Sequence, residues 1–303
     1  MAEAAAVSGA SGVSDPFERH RQLMFAISYR MLGSVVDAED VVQETWLRWR
    51  RVDRDQVADP RGYLVRAVTR TAIDQMRRSQ ARREEYVGPW LPEPLLVSSD
   101  VAVEKSLLGE SLSLAVLVMM ETLSPLERAV FVLHEVFGFS FSEVARAVDR
   151  SEAAVRQLGS RARRHVKGRN RRFRPDRRQA RVVTERFVAA CLDGDVESLM
   201  EVLAPDVTLW ADGNGHAETP RVPLHGAATL AEYFASTAGR YPAGLVVRMS
   251  EQYGDVPAAV LATPEQVFAV VTVELELVDG RPVITAVGAV RNPEKLGRVP
   301  VTR

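Results

Sequence analysis

The chain has 303 residues, 46% hydrophobic and 26% charged, which is enough for two or three domains with ordinary cores and makes one uninterrupted domain the poorer reading. Its formal net charge of -1 speaks against nucleic-acid binding only if charge is spread evenly, and it is not: residues 181–303 carry 10 Lys+Arg against 16 Asp+Glu, leaving 29 against 24 for residues 1–180. The lone cysteine, Cys191, excludes an internal disulfide and a Cys-rich metal site.

Residues 1–14 are rich in Ala, Ser and Gly and lack the basic start and apolar run of a signal peptide. The longest apolar stretch, Leu112 to Met120, is far short of the ~20 residues that span a bilayer. A soluble, cytoplasmic protein with no membrane partner is expected. From Phe17 to Gln80 apolar residues such as Ala38, Val41, Val42, Thr45 and Trp49 recur at helical spacing, predicting helices over about 16–32, 37–50 and 60–82, with Gly33-Ser34 as the first break and Asp59-Pro60 as the entry to the third. Residues 83–99 hold Gly88, Pro89, Pro92 and Pro94 and read as a linker. Helical pattern resumes from about Val101 to Thr122. Ser124-Pro125-Leu126-Glu127 then reads as a capping box, with helices predicted over about 125–137, 141–148 and 152–168. A basic connector around Pro175 leads to a helix pair over 178–204, interrupted at Asp193-Gly194. Strand signals follow, with Val271 to Val278 alternating as a half-buried strand and turning through Asp279-Gly280 onto Val283 to Val290.

Three helix faces carry candidate chemistry. Phe141 to Val166 has the layout of a helix-turn-helix, with Asp149-Arg150 as the turn and Ser151 as a cap. Its second helix buries Val155, Leu158 and Ala162 and presents Arg156, Gln157, Ser160, Arg161 and Arg164, groups suited to phosphates and base edges. The third front helix places Arg66, Arg70, Asp74 and Arg77 in one stripe. The bland reading of both is a solvated charged face. The second front helix differs, carrying Asp37, Asp40 and Glu44 with Gln43 alongside, opposite Trp46 and Trp49. An acidic face suits a protein partner better than DNA.

Asp37-Ala38-Glu39-Asp40-Val41-Val42-Gln43-Glu44-Thr45-Trp46-Leu47 resembles the core-polymerase-binding helix of extracytoplasmic-function (group four) sigma factors. Leu123-Ser124-Pro125-Leu126-Glu127-Arg128, followed by Phe139-Ser140-Phe141-Ser142-Glu143-Val144-Ala145, resembles their -35-binding domain. The resemblance covers about residues 15–168. It implies that Asp37, Asp40, Gln43, Glu44 and Leu47 dock on core RNA polymerase. It implies too that the 51–59 loop and the helix bearing Arg66, Arg70 and Arg77 engage the promoter -10 element, and that Arg156, Gln157, Ser160, Arg161 and Arg164 read the -35 element.

Three further segments narrow the resemblance to the subgroup whose sigma domains are fused to a SnoaL-like (NTF2-like) domain: Trp90-Leu91-Pro92-Glu93-Pro94, Asp212-Gly213-Asn214-Gly215-His216 and Asn292-Pro293-Glu294-Lys295-Leu296. The middle segment departs from the usual Asp-Gly-Gly-Gly-Lys at Asn214, which tolerates positive φ, and at His216, where any salt bridge becomes pH-dependent. The implied architecture is two all-α sigma domains (15–85 and 106–170, the second with the helix-turn-helix), a linker over 86–105, and an α+β cone-shaped domain over 171–303.

An enzymatic reading of the back domain would use Asp212 as a carboxylate base with His216, His225 or Trp210 nearby. The expectation is nonetheless no catalysis, no cofactor and no metal. The back domain is expected to regulate the sigma domains in cis by packing on Trp90 to Pro94, and a small molecule in its pocket could bias that packing. The alternatives are an operator-binding helix-turn-helix regulator and a DNA-anchored enzyme or ligand sensor; a linker-facing Asp212 would favour regulation.

Overall fold

The computed structural model describes residues 15–84, 86–95, 114–166, 176–216, 218–252 and 256–301. The expected helix start at Val101, the later half of the linker and most of the basic connector lie outside the described residues.

Three front helices form as the pattern requires: α1 (Pro16–Leu32), α2 (Val35–Trp49) and α3 (Pro60–Glu84). Asp15 caps α1 through the Phe17 N–H, and Gly33, at φ 68°, ends it in the left-handed conformation a residue with a side chain avoids. Ser34 caps α2 by accepting from the Asp37 N–H. A short helix, α4 (Leu114–Met120), precedes α5 (Pro125–Phe131), whose Ser124/Glu127 capping box is formed and whose last turn widens into a π-type turn over Val132–Val136. The helix-turn-helix is α6 (Phe141–Val148) and α7 (Glu152–Val166). Asp149 turns the corner at φ 57°, and Ser151 Oγ accepts from the Ala154 N–H. A second capping box, Ser140/Glu143, starts α6; its hydrogen bonds hold the Glu143 carboxyl below the usual range.

The two helical domains are packed on each other. One hydrophobic cluster runs from Met24, Ile27, Met31 and Val68 to Leu133, Phe139 and Val148. Arg128, 3% exposed, donates to the Met31 carbonyl at the end of α1 (3.0 Å) and pairs with Glu121 (2.7 Å). Arg70 on α3 donates to the Ala147 carbonyl (3.3 Å) and lies 3.5 Å from Asp149.

The back domain is α8 (Arg177–Asp193), α9 (Val196–Val202), β1 (Leu203–Asp212), β2 (Leu224–His225), α10 (Ala227–Thr237), β3 (Val246–Gln252), β4 (Val256–Ala262), β5 (Val267–Val278), β6 (Arg281–Val290) and α11 (Pro293–Leu296). The six strands form one sheet in the order β2-β1-β6-β5-β4-β3, antiparallel except for the β1–β6 pair. The β5–β6 hairpin turns at Asp279-Gly280 as expected, both residues at positive φ. Leu203 begins β1 rather than ending a helix, and β4 carries no clean alternation because both its faces are covered.

That covering separates two cores. On one face of the sheet, Phe187, Leu199 and Leu230 of the helices pack on Leu209, Val273 and Val287. On the other face, Ala258, Val260, Val270 and Val290 receive Leu91 of the linker, Leu114 of α4, and Leu296 and Val299. The polar residues of β5, which a half-buried strand would turn to water, therefore meet protein: Thr272 Oγ1 stands beside Gly288, and Glu274 accepts from the Leu114 N–H.

Candidate functional site

The segment 86–95 runs between the front helices and the back sheet, held at each end by a carboxylate. Asp212, at the end of β1, is fully buried, because the alternation that points Leu209 and Ala211 to the helix-covered face turns it to the other. Its Oδ1 accepts from the Tyr86 hydroxyl, and its Oδ2 accepts from the Leu91 N–H (2.8 Å) and from Lys295 Nζ (2.7 Å). Lys295 also donates to the Leu91 carbonyl (2.6 Å) and sits 3.9 Å from the Trp90 ring centroid and 4.9 Å from that of Tyr86. Asn292 donates from Nδ2 to the Tyr86 oxygen (2.9 Å), while the Arg291 and Asn292 N–H groups donate to the Asp212 carbonyl. Burial, and then the Asp212 carboxylate, hold the Tyr86 phenol far above the ordinary tyrosine range, so it remains a donor.

The other carboxylate is on the linker itself. Glu93 accepts from Ser34 Oγ (2.9 Å) and from the Val35 N–H (2.7 Å), an anion set on the first turn of α2. Its backbone is tied as well: the N–H donates to the Gly33 carbonyl (2.8 Å) and its carbonyl accepts from the Tyr29 hydroxyl (2.7 Å). Gly33 is required twice over, by its φ and because a Cβ there would stand 2.3 Å from the Trp90 indole. Outside the linker, Arg298 reaches across to Glu39 of α2 (2.7 Å) on the exposed surface.

The three sequence segments expected to meet, 90–94, 212–216 and 292–296, are thus brought together. Asn214 adopts φ 45°, and its Oδ1 accepts from the Val87 N–H (3.2 Å). Gly213 is buried; Gly215 packs beside Val87. Pro92 lies against Gly33, and Pro94 is buried. The cation that neutralises Asp212 is Lys295, not residue 216. His216 sits exposed at the rim, 4.0 Å from Glu294. Pro293 opens α11 and Leu296 buries beneath it. Tyr86 was not distinguished in the sequence and Gly33 only as a helix break: a tyrosine in a polar linker and a helix-terminal glycine carry no signal of their distant partners.

The three candidate faces of the front domains differ in how open they are. On α2, Asp40, Gln43 and Leu47 are exposed, Leu47 at 50%, while Asp37 accepts from Gln75 (2.9 Å) and Glu44 pairs with Arg48 (2.5 Å). Trp49 is buried and Trp46 packs on Phe17, so the aromatic pair faces inward. On α7, Arg156, Gln157, Ser160, Arg161 and Arg164 are all exposed; Val155 and Ala162 are buried, and Arg156 lies over the Phe141 ring and pairs with Glu152. On α3, Arg66 lies over Tyr63 and Arg77 pairs with Asp74, but Arg70 is committed to the helix-turn-helix.

The enzymatic candidates do not converge. A cavity of about 440 Å³ between the back-domain helices and sheet is lined by Phe187, Leu209, Tyr233, Phe268 and Arg291 among others, and Asp212, His216, His225 and Trp210 are all outside it. His225 bonds Thr208 on the surface (3.1 Å), and Trp210 packs on the linker side of the sheet. Among the described residues, no group of three His, Cys, Asp or Glu side chains is placed to hold a metal ion, and no helix is long and apolar enough to cross a membrane.

Residues 16–83 match the Sigma-70 region 2 family and residues 113–166 the Sigma-70, region 4 family. The chain is 39% identical over 232 residues to the ECF RNA polymerase sigma factor SigJ of Mycobacterium tuberculosis, covering 76% of this chain and 74% of that protein. It is 36% identical over 197 residues to the probable ECF RNA polymerase sigma factor SigI of the same species, covering 64% and 68%. The crystal structure of M. tuberculosis SigJ superposes with a TM-score of 0.73 at 32% identity, over 94% of this chain and 99% of that one.

Proposed function

The chain belongs to the ECF RNA polymerase sigma factors, and from that premise we propose that its back domain acts as a built-in clamp that holds the two promoter-binding domains together until polymerase and promoter separate them. As a sigma factor it binds core RNA polymerase and directs it to promoters to initiate transcription. The α2 face of Asp37, Asp40, Gln43, Glu44 and Leu47 is the core-docking surface: it is the one acidic candidate face, it carries an exposed apolar residue, and Glu93 of the linker bonds the N-terminal end of the helix, leaving this exposed apolar residue clear of that contact. Arg156, Gln157, Ser160, Arg161 and Arg164 contact the -35 element; Arg66, Arg70 and Arg77 contact the -10 element.

The observation that carries the clamp is Arg70 at 3.3 Å from the Ala147 carbonyl. Two promoter elements about two helical turns apart lie roughly 70 Å from one another on the DNA. A -10-binding side chain bonded to the helix-turn-helix cannot serve both at once, so this arrangement is the closed form. The back domain sustains it through the linker, on the front domain at Glu93, and through Leu114, which ties α4 to the sheet. Asp212 is spent on this linker and faces away from the cavity, which supports a regulatory rather than a catalytic role for the back domain.

Run-off transcription with purified core polymerase tests the reading. Removing residues 176–303 is expected to change promoter-specific output severalfold without abolishing core binding. Unchanged output would sink the clamp, whereas replacing Asp40 and Glu44 with Lys is expected to abolish core binding in either form.

A further inference from the structure

The cavity between α8, α10 and the sheet is not used by the clamp. Much of its wall is apolar, from Phe187, Leu209, Leu261 and Val287, and two arginines line it: Arg240, whose charge is met by Glu218, and Arg291, the residue after β6. Arg291 donates from Nη1 to the Glu218 carbonyl (2.9 Å) and stacks over Phe268, with its Cζ 4.4 Å from the ring centroid. Its buried Nε has no hydrogen-bond partner, and among the described residues no carboxylate pairs with it. The nearby Glu218 side chain is taken by Arg240 (3.2 Å). A guanidinium held against an apolar wall, with a neutral carbonyl as acceptor and, among the described residues, no carboxylate beside it, is under-compensated, and a carboxylate matches its planar fork bidentately. Tyr233 and Tyr241, kept neutral by burial, line the same space and add hydroxyl donors rather than competing anions.

We propose that this cavity binds an amphipathic monocarboxylate, its carboxylate paired with Arg291 and its apolar body filling the space between Phe187, Leu209, Leu261 and Val287. The volume, about 440 Å³, falls in the usual range for small-molecule sites. The position of Arg291 also gives the site a route to the linker. The Arg291 N–H bonds the Asp212 carbonyl (2.7 Å), and Asn292 beside it bonds both that carbonyl and Tyr86. Engaging the guanidinium therefore pulls on the strand end that seats the clamp. This last step rests on the clamp reading; the binding does not.

The probes are dodecanoate and naphthoate, each against its uncharged alcohol, added below micellar concentration to the full chain. Affinity is read by calorimetry and location by alkylation of Cys191, the chain's single cysteine, which lies on the cavity wall. At least one carboxylate is expected to bind about tenfold or more tightly than its alcohol, as a charge-assisted pair requires, and to slow Cys191 alkylation. Arg291→Gln is expected to erase that preference while leaving alcohol binding unchanged, and Arg291→Lys to retain part of it. Equal affinity for acid and alcohol, binding without protection of Cys191, or no binding by either acid overturns the proposal. The wild-type comparison decides even if a variant fails to fold. Binding that leaves run-off transcription unaltered upholds the site and rejects only its link to the clamp.

Discussion

The two carboxylates that hold the linker do similar work in different surroundings. Asp212 is a fixed part of the back domain and takes linker groups into a dry site, where its counter-charge is the side chain of Lys295, itself only 8% exposed. Glu93 belongs to the linker and is half-buried, and its counter-charge is the partial positive end of α2. A buried pair of full charges is costly to break because each partner is left without solvent. A carboxylate on a helix start can return to water. The Asp212 end is therefore the permanent attachment and the Glu93 end the releasable one, so opening should begin at the front domain.

The largest test of that contrast is Asp212→Ala. It strands the Lys295 ammonium and is expected to cost about 3–5 kcal/mol of linker docking, seen as rapid proteolysis within residues 86–95 and lost protection of the Leu91 amide from hydrogen exchange. Adding Lys295→Met should recover part of the loss, since it removes the stranded charge; a purely additive double variant would contradict the buried-pair account. Glu93→Gln is expected to cost about 1–2 kcal/mol. It should release the front domain while Tyr86 and Leu91 stay docked, so exchange should rise at the Val35 amide and not at Leu91. Equal rises at both amides would erase the distinction between the two ends. The smallest effect is expected for Arg298→Ala. Its bond to Glu39 lies in water, with both side chains about half exposed, and neither amide should change measurably.

These ends were legible in the sequence to different degrees. The motif Trp90 to Pro94 and the segments around Asp212 and Lys295 were recognised as groups expected to interact, but their pairing was not. His216 was singled out because it stands where the resembled motif has a lysine, yet the working cation sits on α11, roughly eighty positions away in the chain. The helix boundaries were readable from caps and prolines, as at Ser34, Ser124 and Asp149, because such signals act within four residues. The sheet was readable only at the β5–β6 hairpin, where Asp279-Gly280 marks a local turn. β1 and β4 escaped because strands covered on both faces lose the alternation that announces them.

From the amino-acid order alone came the family, the helical front with its three candidate faces, the helix-turn-helix and the presence of an α+β domain, all consequences of local spacing and short-range capping. Only the tertiary structure decided that the two sigma domains are closed on each other through Arg70 and Arg128. It also decided that the polar face of β5 is a docking surface, and that Asp212 faces the linker while Arg291 faces the cavity. Those facts depend on which distant groups share a dry interface, where an unpaired charge costs several kcal/mol, and no local pattern records which partner will be there to meet it.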